Sequence, residues 1–469
     1  MSAASRTTTT PPQAPGGGRP FGARFVSPLL LGSTLNPINS SMIATGLVGI
    51  GLDFHKGAGT TASLISVLYL CSAIAQPTMG KLATILGARR VFVGGVAILL
   101  LAGVVGAAAP AFGFLVVSRA LIGIGTSAAY PTAMALVRRR ADETGTGVPS
   151  RVLGNFSIAS QVTIVVGLPL GGLLAGAWGW RALFLVNVPL ALVTLVATFA
   201  GVAPDEPVAK RSRASLFTAV DVPGIVLFSA TVVGLLLFLS DLTSPVWWLA
   251  PVVVLLGAAL TVWERRTERP LIDVRMLGRN RRLLRTYIRQ AVVALGTYTA
   301  LYGLSQWMEE SAGYSASQVG LIMLPLSGIS IVVARLVSGR GWVRTPLVLT
   351  GASLVATGAV MLFVTHASPV PVLLGMSALF GLANGFSGFA NQAALYVQAP
   401  ADEIAVASGL YRTFSYVGAI FSSSLIAIAF GRTATDSGLH EVSYVIAGLG
   451  VLVLLMSVLD RAIPARAGR

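Results

Sequence analysis

Long apolar runs recur along the whole chain, each about the length a helix needs to cross a bilayer. They fall at about 27–51, 60–83, 91–110, 112–137, 152–177, 182–202, 218–240, 245–263, 284–307, 317–338, 343–365, 370–397, 404–430 and 441–459, divided by charged or Gly/Pro punctuation. A helix rises about 1.5 Å per residue, so about 20 apolar residues traverse the hydrocarbon core. Inside that core every backbone N–H and C=O needs a partner within the protein, which such a run finds as a helix. Fourteen transmembrane helices are therefore expected. Hydrophobic residues make up 54% of the 469-residue chain and charged residues 11%, with a mean hydropathy of +0.80. Soluble domains carry about 25% charged residues, so water is not the solvent for most of this surface.

The basic residues test the count. Lys and Arg exceed Asp and Glu by 33 to 17, a net charge of +16 that in a soluble protein would point to nucleic acid. Here they sort by topology. With the N-terminal tail placed in the cytoplasm, 27 fall on that side and only Lys56, Arg181 and Arg432 on the other. The remaining three, Arg119, Arg289 and Arg412, lie inside expected spans. This is the positive-inside bias of an inner or plasma membrane protein with both termini cytoplasmic, and one missed span would destroy it. The nucleic-acid reading falls away.

Residues 1–24 form a Thr-, Pro- and Gly-rich tail expected to be disordered, and the first apolar run is expected to stay in place as a helix. Cys71 is the only cysteine, which excludes a disulfide framework and a cysteine-based metal site. Trp178, Trp180, Trp247, Trp248, Trp263, Trp307 and Trp342 sit at or near span ends, positions suited to the headgroup level.

The chain also repeats itself. Lys81-Leu82-Ala83-Thr84 with Gly87 and Arg90 matches Arg335-Leu336-Val337-Ser338 with Gly341 and Arg344 at constant offset. In the fourth and twelfth spans Ile122-Gly123 parallels Phe380-Gly381, and both spans run out into Ala-Asp-Glu. Two six-helix halves follow, 25–202 and 284–460, with a linker and two extra helices at 203–283 and a C-terminal tail at 461–469. Paired halves of this kind place a transport site near mid-membrane between them.

Four motifs then resemble the major facilitator superfamily, in its fourteen-span drug:proton antiporter branch. The stretch from Gly80 to Arg90, with Gly87, Arg89 and Arg90, is similar to the loop motif of that family. Arg119 with Gly123 resembles its fourth-span motif, and Gly167-Leu168-Pro169-Leu170-Gly171-Gly172 its fifth-span antiporter motif. Trp180-Arg181 with Phe184, Asn187 and Pro189 resembles the start of the sixth span in that branch. The resemblance implies an all-α fold of two pseudo-symmetric bundles plus two inserted helices. It implies export of a drug, antibiotic or metabolite by alternating access, no cofactor, and protons as the driving ion. Departures are specific. Thr84 stands where the loop motif has Asp, so its charge lock between helices is expected to be absent. Ile122 stands where Gln is frequent, and Pro169 is displaced by one position. Asn39 occupies the place of a first-span Asp in proton-coupled relatives, and Asn does not titrate.

In the superfamily the first and fourth spans and their equivalents, here the ninth and twelfth, line the central cavity. Polar and aromatic residues fall on those spans. Asn36 and Asn39 share a face beside Pro37, which frees a backbone carbonyl. Tyr298, Tyr302 and Gln306 form a stripe at helical spacing, with Gln290 two turns earlier. Asn384, Asn391 and Gln392 lie on the twelfth span and Tyr130 on the fourth. These ten are the substrate-binding candidates, with helix–helix hydrogen bonding as the alternative for the amides. Coupling and gating candidates are Arg119, Gly80, Gly87, Arg89, Arg90, Gly167, Pro169, Gly171, Gly172 and Arg412, and the fifth-span glycines Gly167, Gly171, Gly172 and Gly176 are expected to allow close helix contact in one state of the cycle. An arginine at mid-span costs about 2.5–3.5 kcal/mol on the insertion scale, so Arg119 is expected to face the interior.

Acids are scarce inside. Asp221 reads as a helix N-terminus with Pro just within it, and Asp241, Glu309 and Glu310 lie at outer span ends. His55, His366 and His440 fall in outward loops and are expected to be solvated. A cavity poor in carboxylates suits neutral or anionic amphipathic solutes. Three functions stay open: a monomeric proton-coupled exporter, an uncoupled facilitator or importer, and a membrane-embedded enzyme or channel. The last lacks paired catalytic groups within spans, and an ATP-driven pump lacks both a GxxxxGK[ST] loop and room for a nucleotide domain.

Overall fold

A computed structural model describes residues 20–206, 219–240, 242–431 and 433–467; Arg6, Arg19, Lys210, Arg211, Arg213, Asp241, Arg432 and Arg469 lie outside them. The described residues form fourteen helical rods. In the first half these are α1 (Ala23–Met42, continued by Ile43–Gly46 and Leu47–Phe54), α2 (Ala58–Leu86), α3 (Ala88–Ala107), α4 (Phe112–Ser127 with Ala129–Glu143), α5 (Ser150–Trp178) and α6 (Ala182–Leu185 with Asn187–Gly201). Then come α7 (Val222–Ser240) and α8 (Leu249–Arg266). The second half holds α9 (Arg281–Glu310), α10 (Ala316–Ile322 with Leu324–Arg340), α11 (Arg344–Met361), α12 (Val370–Gln398), α13 (Ile404–Phe430) and α14 (Asp436–Leu459). Among the described residues nine of the rods are long and apolar enough to cross a membrane, namely α2, α3, α4, α6, α7, α10, α12, α13 and α14. The others carry more polar or small residues, such as the arginines opening α9 and the Ser, Asn and Pro of α1.

Local chemistry sets the irregularities. Proline lacks the N–H that would bond four residues back, and its ring crowds that carbonyl. The breaks in α4 at Ala128, α6 at Val186 and α10 at Met323 each precede a proline by two or three residues: Pro131, Pro189 and Pro325. In α1 the tightened turn Ile43–Gly46 follows Ser40 and Ser41, whose hydroxyls bond back to Asn36 and Pro37 carbonyls at 3.0 and 3.1 Å. Such back-bonding competes with the helix ladder and bends it.

The packing repeats as the sequence does. α1 packs on α5 and α6, α2 on α4, and α3 on α4 and α6; in the second half α9 packs on α13 and α14, α10 on α12, and α11 on α12 and α14. Gly123 lies against the Leu68 carbonyl, where an added Cβ would come within 2.8 Å, and its counterpart Gly381 lies against the Leu326 carbonyl in the same way. Gly87 and Gly341 also correspond, closing α2 and α10 with φ of +99° and +65°. The two groups meet along α2 with α13 and α5 with α10, while α7 packs on α8 and touches α2 and α13. Both described ends lie on one face, with Arg140 Nε donating to the Pro20 carbonyl and Trp342 paired with Arg466. That face, rich in arginine, is called the basic face below.

Several expectations are corrected by tertiary contacts. Trp178, Trp247 and Trp248 are exposed, but Trp180 and Trp307 are buried and donate to Asp53 and Asp436 at 2.8 and 2.9 Å. Their indoles tie loops to helices and do not sit at a headgroup surface. His366 is exposed, in keeping with a solvated loop residue, and contacts Asp436 at 2.8 Å, whereas His440 is half-buried and reaches the Val364 carbonyl at 3.1 Å. His55 is exposed, as expected.

The loop after α2 carries a lock of a different design from the expected one. Thr84 is exposed and bonds its own Lys81 carbonyl. The anion comes from beyond α6 instead. Asp205 accepts from the backbone N–H of Arg89 and Arg90 at 3.2 and 2.8 Å and from Arg139 Nη1 at 2.8 Å. It thus sits at the N-terminus of α3, where an anion meets unsatisfied N–H groups. A side chain at Gly87 would collide with Asp205, and its φ of +99° is one that only glycine adopts freely.

Candidate functional site

A layer of polar and aromatic side chains joins the two halves at mid-depth. Asn36 of α1 donates to Ser72 Oγ of α2 and to Thr126 Oγ1 of α4, both at 2.9 Å. Its carbonyl oxygen accepts from Tyr416 OH of α13 at 2.9 Å, and Gln76 Nε2 of α2 donates to that phenol at 3.0 Å. Asn36 therefore links three helices of its own half to the other half. Tyr69 of α2 lies 5.7 Å from the Tyr416 ring.

A second cluster belongs to α9, α12 and α13. Arg289 is fully buried and donates Nε to Asn391 at 2.7 Å and Nη2 to Thr286 at 3.1 Å. Asn391 Nδ2 and Tyr411 OH both donate to Gln290 Oε1, at 3.1 and 2.7 Å, and Gln290 Nε2 donates to Ser415 at 3.0 Å. Between the two clusters Arg412 stacks 4.2 Å over the Tyr130 ring, a cation–π contact across the boundary between halves. Among the described residues no carboxylate is paired with Arg412. Its Nε, the Tyr130 hydroxyl and Gln76 Oε1 are buried without a hydrogen-bond partner. Such groups are costly unless something occupies the space they face.

The candidates named from sequence do not all converge here. Asn36, Tyr130, Gln290, Asn391 and Arg412 do. Tyr298 and Tyr302 stack at 5.7 Å farther along α9 from the basic face, and Tyr302, 44% exposed, faces Tyr69 of the other half. Asn39 turns aside, donating to Asn187 of α6 at 2.6 Å. Gln392 is buried against Met134, Asn384 is half-buried, and Gln306 bonds Glu310 at the outer end of α9, away from the layer. Arg119 is buried with Nε on the Leu64 carbonyl at 3.0 Å and Nη1 on the Asn39 carbonyl at 3.2 Å, cross-linking α4 to α2 and α1. Sequence reasoning left out Arg289, Gln76, Tyr69 and Asn187 as site residues. The first carried a signal, being one of only three basic residues inside spans.

Contacts between the halves concentrate toward the basic face. Gly80 abuts the Ala405 backbone, Gly409 abuts Gln76 and Pro77, and Thr413 Oγ1 donates to the Ala73 carbonyl at 2.7 Å. On the other seam Gly154 abuts Ser338. Among the described residues the halves are thus shut at the basic face. Of the fifth-span glycines, Gly167 and Gly171 admit Ser41, Met42 and Thr45 of α1, whereas Gly172 and Gly176 meet nothing within 4 Å. The latter two face open space in this state. Pro169 is exposed on the same helix.

Two pseudo-equivalent helical groups closing over a central polar layer define a polytopic membrane transporter. The sequence profile of the Major Facilitator Superfamily matches residues 29–423, and the chain belongs to that family. It is 32% identical over 441 residues to the uncharacterized MFS-type transporter YwoD of Bacillus subtilis (strain 168), covering 93% of this chain and 96% of that one. It is 27% identical over 434 residues to the tetracenomycin C resistance and export protein of Streptomyces glaucescens, covering 89% and 77%. Among solved structures, the human organic anion transporter MFSD10 (TETRAN) aligns with a TM-score of 0.65 at 15% identity, covering 92% of this chain and 99% of that one, a likeness of fold. The chain is accordingly a transporter and not an enzyme.

Proposed function

We propose that this protein exports a small amphipathic organic compound, neutral or anionic, by alternating access. The observation that carries this is Arg412, a guanidinium at the boundary of the halves, stacked on Tyr130 with no paired carboxylate among the described residues. A cationic solute would meet like charge there, whereas an anion or a polar-aromatic compound completes the unpartnered groups. The resistance and export function in the name of the Streptomyces relative supports the direction. In this reading the halves are 25–202 and 284–460, fourteen helices cross the cell membrane, and the basic face with both termini is cytoplasmic. The protein works as a monomer. The structure described is then a state closed toward the cytoplasm.

Proton antiport is the proposed drive. Asn39 does not supply the proton carrier, since its amide is committed to Asn187. In proteoliposomes, an imposed proton gradient should drive substrate flux against its own gradient. Flux indifferent to that gradient favours the second reading, an uncoupled facilitator, which the scarcity of carboxylates around the polar layer supports.

A further inference from the structure

Away from the central layer, on the basic face, two carboxyl groups are buried together where the extra helices meet the gate. Asp221, just before α7, is 2% exposed and has φ of +57°. It accepts from Gly224 N–H at 3.1 Å, Trp263 Nε1 at 2.8 Å and Leu271 N–H at 2.9 Å. Glu264, near the end of α8 and beyond the apolar run 245–263, is 0% exposed. It accepts from Ile272 N–H at 3.4 Å, with Leu271 N–H also bonding to it, and its Oε1 has no partner among the described residues. An added Cβ on Gly224 would press on both Asp221 Oδ2 and Glu264 Oε1, so the two carboxyls face one gap.

The segment they grip, from Thr267 to Ile272, is also held by α2, through a lysine whose charge is felt by both carboxyls. Lys81 Nζ of α2 donates to the Pro270 carbonyl at 2.6 Å. Lys81 follows Gly80, the residue that abuts Ala405 at the start of α13. The loop after α8 is therefore clasped between the buried carboxyl pair and the gate helix that seals the two halves. The other charged groups around the clasp are Arg269 beside Lys81, exposed Arg265 and Arg266 on α8, and Glu403 ahead of α13 with its neighbours Asp273 and Asp402.

We propose that Glu264 and Asp221 form a proton-binding site, in which a proton on Glu264 holds the extra helices docked on Lys81 and keeps the gate shut at the basic face. Two adjacent buried carboxyls cannot both ionise cheaply, and Glu264, with a long 3.4 Å bond from Ile272 N–H and an unpartnered Oε1, is the one placed to hold the proton. Burial first, and then the Asp221 charge, push the Glu264 carboxyl up to about 8. Release of the loop exposes Glu264 to water and returns it to the ordinary carboxylate range. The docked state binds the proton more tightly, so its advantage is complete at low pH and is lost as pH rises through about 8. Glu403, pushed up to about 7 by burial and then by Asp273 and Asp402, titrates separately at the same face. The inference rests on the alternating-access reading for its consequence, but not for its test.

The test uses the full-length protein in nanodiscs with Cys71→Ser, and spin labels on cysteines replacing exposed Thr84 and Glu268. Below about pH 7 the distance distribution between the labels should be narrow, and it should broaden with a midpoint near 8. Glu264→Gln, isosteric and always neutral, should stay narrow across that midpoint, while Glu403→Gln should leave the transition near 8 in place. Infrared difference spectra of wild type between pH 6 and 9 should show a protonated-carboxyl band whose component near pH 8 is removed by Glu264→Gln and kept by Glu403→Gln. A wild-type distribution that ignores pH, or a midpoint unmoved by Glu264→Gln, overturns the proposal. Because the readout is a local distance, failure of substrate export in flux assays leaves this result standing, and the reverse also holds.

Discussion

Arg412 shows how one side chain acquires a role that its neighbours in sequence do not announce. Its closeness to the start of the span 404–430 suggests a place near the helix end, yet α13 carries it to the seam between the halves and onto the Tyr130 ring. A hydrogen bond to a charged group is worth about 1.5–3 kcal/mol. Replacing Arg412 by Gln should therefore weaken binding of an anionic substrate by about tenfold or more, measured by tryptophan quenching or by flux. Arg412→Lys should recover only part, because a lysine keeps the charge without the planar stack. Unchanged affinity in Arg412→Gln would remove this residue from the site. The amides were legible as polar residues on apolar helices. Their partners were not, since Asn36 meets Tyr416 and Asn39 meets Asn187 across separations of 380 and 148 residues.

At the scale of the helix, the fifth span is the informative case. Its glycine motif suggested close packing at four positions, and the structure gives it to two. Gly171 lies against the Met42 backbone and Thr45, where a Cβ would come within 2.8 Å. Gly171→Leu should abolish transport while leaving insertion and expression at wild-type levels, as overpacking of a tight helix contact costs about 1–3 kcal/mol or more. Gly172→Leu should be tolerated, since it faces open space. Equal flux in the two variants would contradict the packing described. Helical periodicity alone could not separate these adjacent glycines, because it says which residues share a face and not what stands opposite. The breaks in α4, α6 and α10 were more legible, since proline chemistry is local.

For the whole molecule, the seams between the halves carry the argument about mechanism. A Cβ at Gly341 would lie 3.8 Å from the Ser150 Cβ, a separation typical of disulfides. In a Cys71→Ser background, oxidising the pair Ser150→Cys and Gly341→Cys should halt flux, and reduction should restore it. The Gly341 φ of +65° imposes some strain on that cysteine, so the reduced double variant is the reference. Full flux in the oxidised protein would count against rocking of the halves about this seam.

Hydropathy, charge asymmetry and the repeat carry the membrane class, the order of the helices and the resemblance between halves. These properties are legible in one dimension because the bilayer acts on each helix separately: length, apolarity and flanking charge suffice for it to choose. The lock at Asp205, the convergence at Arg412 and the carboxyl pair of Asp221 and Glu264 were not legible. Each joins residues from helices far apart in the chain, and each depends on a few ångströms of packing. Fourteen apolar runs name the solvent of this protein. The work of transport lies in the few polar contacts left where those helices meet, and only their arrangement in space gives such groups their partners.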